Sequence, residues 1–104
     1  MNLLNGKQKK FLKAKAHNMK PIFQVGKEGI SDKWVEQIRY ALDKRELVKV
    51  NVLQGSDFEA SDVSDYLTEN TDIVVVQVIG HVLVLYRQSS KIEKREISVE
   101  LQSL

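Results

Sequence analysis

The chain has no cysteine and a single proline among its 104 residues. Without cysteine there is no disulfide framework, no thiolate metal site and no thiol nucleophile, and the composition fits a reducing compartment. No apolar run approaches the ~18 residues that a bilayer span needs. The N-terminus carries lysines with no hydrophobic segment behind them, so it does not read as a secretory signal, and a cytoplasmic protein is expected. The two histidines, His17 and His81, stand too far apart in sequence to suggest a metal pair or a catalytic base with its partner. No nucleophile–base arrangement and no Walker-type phosphate loop is present. Nothing in the chain reads as an enzyme, and no cofactor is implied.

Charge of one sign is missing from two long stretches. The first twenty-seven residues hold Lys7, Lys9, Lys10, Lys13, Lys15, Lys20 and Lys27 and not one acid, whereas no lysine or arginine occurs from Val50 to Tyr86. Residues 1–49 carry twelve Lys/Arg against five Asp/Glu, and residues 50–104 carry four against nine. The formal net charge of +2 therefore conceals halves of +7 and −5. Such asymmetry points to a polyanionic partner for the basic half.

Hydrophobic periodicity orders the chain as α-β-α-β-α-β-β. Residues 5–17 form an amphipathic helix with Leu4, Phe11, Leu12 and Ala16 on one arc and Lys7, Lys9, Lys10 and Lys13 on the other. Lys15 falls near the apolar arc and must lay its stem along it. No acid stands at i±4 to relieve the repulsion among these lysines, which favours a docking face over a merely solvated one. Pro21 separates this helix from a strand at 22–25. A glycine-framed loop, Gly26-Lys27-Glu28-Gly29, follows. It reads either as a phosphate cradle at a helix N-terminus or as an ordinary strand-to-helix turn, and the adjoining lysines favour the cradle. Ser31 then caps a helix over 31–45, with Trp34, Val35, Ile38, Ala41 and Leu42 inward.

Leu47–Leu53 alternates as a half-buried strand. Ser56-Asp57-Phe58-Glu59 reads as a capping box opening a helix to about Thr68, with Phe58, Val63 and Leu67 inward and an acidic outer face. Asp57, Asp62 and Asp65 on that face read as solvated rather than as metal ligands. Residues 73–79 are apolar and β-branched almost throughout and are expected to form a central strand covered on both faces. Gly80-His81 predicts a type II′ hairpin into a returning strand at 82–86. After Arg87 the pattern weakens, and residues 91–104 are expected as an edge strand or a loose tail. The whole is one α/β (α+β) domain with a small four-stranded mixed sheet and packed helices.

Taken together, Lys7-Gln8-Lys9, Leu12-Lys13, Ala16-His17, Lys20-Pro21, the Gly26-x-x-Gly29 loop with Ile30-Ser31, and Val76-Gln77-Val78-Ile79-Gly80 with Leu83-Val84-Leu85-Tyr86-Arg87 resemble the bacterial YhbY-like proteins. These are stand-alone forms of the CRM domain (chloroplast RNA splicing and ribosome maturation). The resemblance covers about residues 3–90, in the family's order and spacing, and the stretch after Arg87 matches least. It implies a fold like the C-terminal domain of translation initiation factor three and a non-enzymatic RNA-binding module. It also implies association with ribosomal RNA or large-subunit precursors during ribosome biogenesis. Carried over residue by residue, the RNA contact is the GxxG loop (Gly26, Lys27, Gly29) with Lys7, Lys9, Lys10, Lys13 and Lys20. Glu28 sets an acid inside the loop, which weakens phosphate contact there. The expectation is a monomer that binds RNA and no membrane. The competing reading is a protein-interaction adaptor that docks the same basic face on an acidic partner.

Overall fold

The computed structural model describes residues 4–26, 29–53 and 57–104. Helix α1 (Gly6–Ala16) precedes strand β1 (Phe23–Val25), helix α2 (Asp32–Arg45), strand β2 (Leu47–Val52), helix α3 (Ala60–Asn70) and the hairpin β3 (Val74–Ile79) and β4 (Val82–Tyr86). A 3-10 turn (Ile92–Lys94) and a fourth helix, α4 (Glu96–Gln102), complete the chain. The strands form one mixed sheet in the order β1-β2-β4-β3. β1 and β2 are parallel, while β4 runs antiparallel to both of its neighbours.

The alternation along β2 divides the core in two. Val48, Val50 and Val52 face α2 and α3 and pack with Val25, Ile38, Leu42, Val63, Leu67, Leu83 and Leu85. Leu47 lies in the opposite layer with Val76, Val84 and Tyr86, beneath Leu12 and Ala16 of α1 and Leu101 of α4. The apolar arc expected for α1 is thus its buried face, with Leu4 and Phe11 partly covered. Lys15 lies along that arc as its position requires: its ammonium is 5.6 Å from the Phe11 ring centroid and 3.2 Å from Glu100 of α4.

Local caps set the helix starts. Asn5 accepts from the Gln8 N–H at 2.9 Å while the Gln8 side chain accepts from the Asn5 N–H at 3.0 Å, a reciprocal box at the head of α1. Ser31 Oγ accepts from the Trp34 N–H at 3.1 Å, as expected. The Trp34 indole donates to the Gln24 carbonyl at 2.9 Å and packs against the core, tying α2 to β1. At the hairpin, Gly80 has φ 56 and His81 keeps a negative φ, the pairing that distinguishes a II′ turn from I′.

Three expectations are corrected. α3 starts at Ala60, later than read, and Asp62 accepts from the Glu59 N–H at 2.9 Å. Ser56 lies outside the described residues. Phe58 precedes the helix and is more than one-third exposed, so it is not an inward helical residue. β3 is an edge strand, not a central one. The two hairpin strands have equally apolar sequences, but β4 takes the interior by pairing with β2, and Val78 and Ile79 at the end of β3 are exposed. Val75 and Val76 alternate between the two core layers as strand neighbours do, and a bulge between Val75 and Gln77 then sets Gln77 opposite Val84, on the α1 side.

The third correction concerns residues 91–104, which form the 3-10 turn and α4 in place of a strand or tail. Glu46, fully buried and in the left-handed region at φ 63, follows α2 and anchors them. Its carboxylate accepts from the Ser89 N–H at 2.8 Å, the Ser98 N–H at 3.0 Å and the Ser98 hydroxyl. Because that hydroxyl donates to Glu46, the buried Tyr86 phenol must donate to Ser98 Oγ. Asp43 assists: its carboxylate accepts from the Ser90 N–H at 2.9 Å, the Ser90 hydroxyl at 3.0 Å and the Arg87 guanidinium at 3.1 Å. The Ser90 N–H, outweighing burial and aided by the Ser90 hydroxyl and Arg87, holds the Asp43 carboxyl below the usual range.

Candidate nucleic-acid interface

The helix geometry of α1 gathers the cations. Lys7, Lys10, Lys13 and His17 recur at three- and four-residue steps, so they form a stripe along one side of the helix, opposite to Leu12 and Ala16. Lys7, Lys9, Lys10, Lys13 and Lys20 are all exposed. Only part of the sheet face beneath α1 is covered. Beside the helix a groove of about 350 Å³ opens over the sheet, lined by Lys10, Lys13, His17, Lys49, Gln77 and Ile79 among others. No acid lines it.

Lys49 is one of four cations, with Lys44, Arg45 and Arg87, whose part in the site the sequence leaves undecided. Its outward position on β2 was legible, but not what lies opposite. The structure sets it across from α1, with its ammonium 3.4 Å from the His17 carbonyl at the helix C-terminus. That carbonyl satisfies one donor and leaves the charge beside Lys10 and Lys13. The site thus joins three lysines from two elements far apart in sequence. Lys7 continues the stripe beyond the groove, and Lys20 lies past the C-terminal end of the helix. His81 is an exposed turn residue.

Other cations are engaged elsewhere. Arg87 donates to both oxygens of Asp72 at 3.0 Å and to Asp43 at 3.1 Å, binding the end of β4 to α2 and to the segment before β3. Its role is structural. The acidic residues Glu59, Asp62, Asp65 and Glu69 are all on α3 or at its head, and α3 packs on the other face of the sheet from α1. The lysines of α1 and the acids of α3 thus lie on opposite sides of one sheet. Among the described residues no group of three or more His, Asp or Glu is placed to hold a metal ion.

In the glycine loop, Lys27 and Glu28 lie outside the described residues. The two glycines flanking them differ. Gly29 has φ 71, its N–H donates to the Gly26 carbonyl at 3.0 Å, and a Cβ built on it would lie 2.5 Å from the Phe58 ring. That N–H closes the turn, so the glycine is required by the backbone and by packing. Gly26 lacks a left-handed φ, and a Cβ there would meet Leu53 at an ordinary 3.7 Å. Gly29→Ala is therefore expected to lose about 2 kcal/mol of stability, from left-handed strain plus displacement of Phe58, while Gly26→Ala stays within about 0.5 kcal/mol. Urea melts of the two variants check this, and equal losses would show that the turn geometry is wrongly described.

These features define a small α/β domain, a mixed sheet between two helical layers, with the lysines of α1 and the acids of α3 on opposite sides. The chain belongs to the CRS1/YhbY (CRM) domain family, whose pattern matches residues 4–87. It is 45% identical over 95 residues to a Bacillus subtilis protein named "Probable RNA-binding protein YqeI", covering 91% of this chain and 99% of that one. An "RNA-binding protein" of Haemophilus influenzae is 39% identical over 92 residues, covering 88% of this chain and 92% of its own. The solution structure of a hypothetical protein from Staphylococcus aureus superposes with a TM-score of 0.71 at 44% identity, covering 90% of this chain and 98% of that one.

Proposed function

We propose that this protein binds RNA through the basic face of α1 and the groove beside it. The observation that carries the reading is the acid-free groove in which Lys10 and Lys13 meet Lys49 across the open sheet. Phosphate contact supplies most of the affinity of such a surface, and shape supplies the rest. Lys7, Lys9 and Lys20 extend the cationic track, and Gly26, Lys27 and Gly29 belong to the same proposed contact. The relatives named as RNA-binding proteins support the same reading. We further propose that the RNA is ribosomal, in precursors of the large subunit, that the chain acts there as a monomer without catalysis, and that it works in the cytoplasm.

Sedimentation of cell extract at low and high salt tests the ribosomal part. Co-migration with large-subunit precursors at low salt, lost at high salt, is the expected result. The protein remaining at the top of the gradient at every salt concentration would contradict it. The adaptor reading predicts instead that an acidic protein partner is retained after ribonuclease treatment.

A further inference from the structure

A second groove, about 840 Å³ in volume, runs between α2 and β1 on the side of the sheet away from α1. Its lining includes Ile22, Lys33, Tyr40, Lys44 and Arg45, with Glu36 as the only acid among the described residues. Tyr40 is 62% exposed and Ile22 45%, so neither serves the core. The Lys44 ammonium sits 4.5 Å from the centroid of the Tyr40 ring. It covers one face of the ring and leaves the ring otherwise accessible. The local field is positive enough to draw the phenol below its usual pKa, chiefly through hydrogen bonding and charge from Lys44, opposed by burial and aided by Lys91.

The two grooves are neighbours across one hydrogen-bonded pair. The Ile22 N–H donates to the Lys49 carbonyl at 3.1 Å, and Ile22 lines the second groove while Lys49 lines the first. β1 is the edge of the sheet at that point, so nothing in the sheet separates the two beyond it. Exposed Lys20 lies two residues before Ile22, on the segment that joins the two sides.

We propose that the second groove is a nucleotide seat, in which single-stranded RNA leaving the α1 groove passes over the β1 edge, stacks one base on Tyr40 and places flanking phosphates on Lys44 and Arg45. This rests on the RNA reading above and deepens it. An aromatic platform beside cations is how sequence-tolerant single-strand binding is built, because every base has a π-face. It also supplies the stacking that the α1 groove lacks. A peptide strand pairing with the β1 edge would be the other natural occupant. The excess of cations over Glu36 and the continuity with the acid-free groove favour RNA.

The test compares Tyr40→Ala, Tyr40→Phe and the double variant Lys44→Ala/Arg45→Ala, using fluorescein-labelled oligouridylates of about four and about twelve nucleotides. On the longer probe Tyr40→Ala should weaken binding roughly tenfold with the salt slope unchanged, and Tyr40→Phe should bind as the unsubstituted chain does. The double variant should lower the salt slope by about 1.4. The four-nucleotide probe, too short to occupy both grooves, should not register the Tyr40 change. Thermal melts should be unaltered, since these side chains are exposed. If Tyr40→Ala binds the longer probe normally while Lys10→Glu/Lys13→Glu does not, the seat is overturned and the α1 site stands. If the unsubstituted chain binds neither probe nor any ribosomal RNA fragment, the RNA reading falls and this proposal with it.

Discussion

Reversing Lys10 and Lys13 together to glutamate is expected to lower RNA affinity on the order of a hundredfold or more, because each reversal removes a phosphate contact and adds a repelling charge. The domain should stay folded. Both side chains project from the exposed side of α1, while the helix is held by Leu12 and Ala16 on the other side. Two acids in place of two lysines also relieve the self-repulsion of the basic helix, so its melting temperature should hold or rise. The matched control reverses Asp62 and Asp65 to lysine on the far side of the sheet. It should leave affinity unchanged or slightly raised, through the long-range field alone. Filter binding and thermal melts on both pairs check this. Equal losses from the two would show that binding does not depend on which face carries the charge.

Glu46→Ala is expected to cost about 3–5 kcal/mol of folding stability, a large effect for a residue that bears no part in the proposed contact with RNA. The substitution leaves the Ser89 and Ser98 N–H groups and the Ser98 hydroxyl without their acceptor in a buried place, and with them the Tyr86–Ser98 relay. It also keeps a side chain at φ 63. Glu46→Gly removes the same acceptor but relaxes the backbone, so it should be less harmful than alanine by about 1–2 kcal/mol. Urea unfolding of the two variants gives the comparison. A loss below about 1 kcal/mol for alanine would mean that α4 is not held by this carboxylate.

Glu46 also shows where sequence reading stops. Its neighbours read as the polar end of a helix, and Ser89, Ser90 and Ser98 read as polar tail, so hydropathy offered no reason to bury any of them. The force that folds residues 91–104 back is hydrogen bonding to two carboxylates at the end of α2, and only Leu101 inserts deeply into the core. Periodicity carries no trace of such pairing. By contrast, α1, α2 and β2 were legible because each buries a face with its own repeat: Leu12 with Ala16, Ile38 with Leu42, Val48 with Val50 and Val52. The order of the hairpin strands was not, since VVVQVI and VLVLY are equally apolar, and only pairing with β2 decides which lies inside.

The candidate site divides in the same way. The lysines of α1 are local in sequence and could be placed on one arc by counting. Lys49 could be placed facing outward, but its position opposite Lys10 and Lys13 depends on where α1 lands on the sheet. Tyr40 carries no periodic signal of its own, and its exposure follows from the inner face of α2 being filled by Ile38, Ala41 and Leu42. Gly29 read as a ligand cradle or a turn, with the adjoining lysines favouring the cradle. The engaged N–H and the Phe58 ring give it a structural part in shaping the loop.

The most direct test of the central claim is the affinity for a ribosomal RNA fragment, titrated from low to physiological salt with the unsubstituted chain and with Lys10→Glu/Lys13→Glu. If Lys10, Lys13, Lys49 and Lys20 at least each neutralise a phosphate, log affinity should fall linearly with log salt at a slope of about −3 or steeper, and the slope should be shallower by about 1.4 in the double variant. A slope near zero for the unsubstituted chain, or the same slope in both, would contradict an electrostatic RNA contact made by this face.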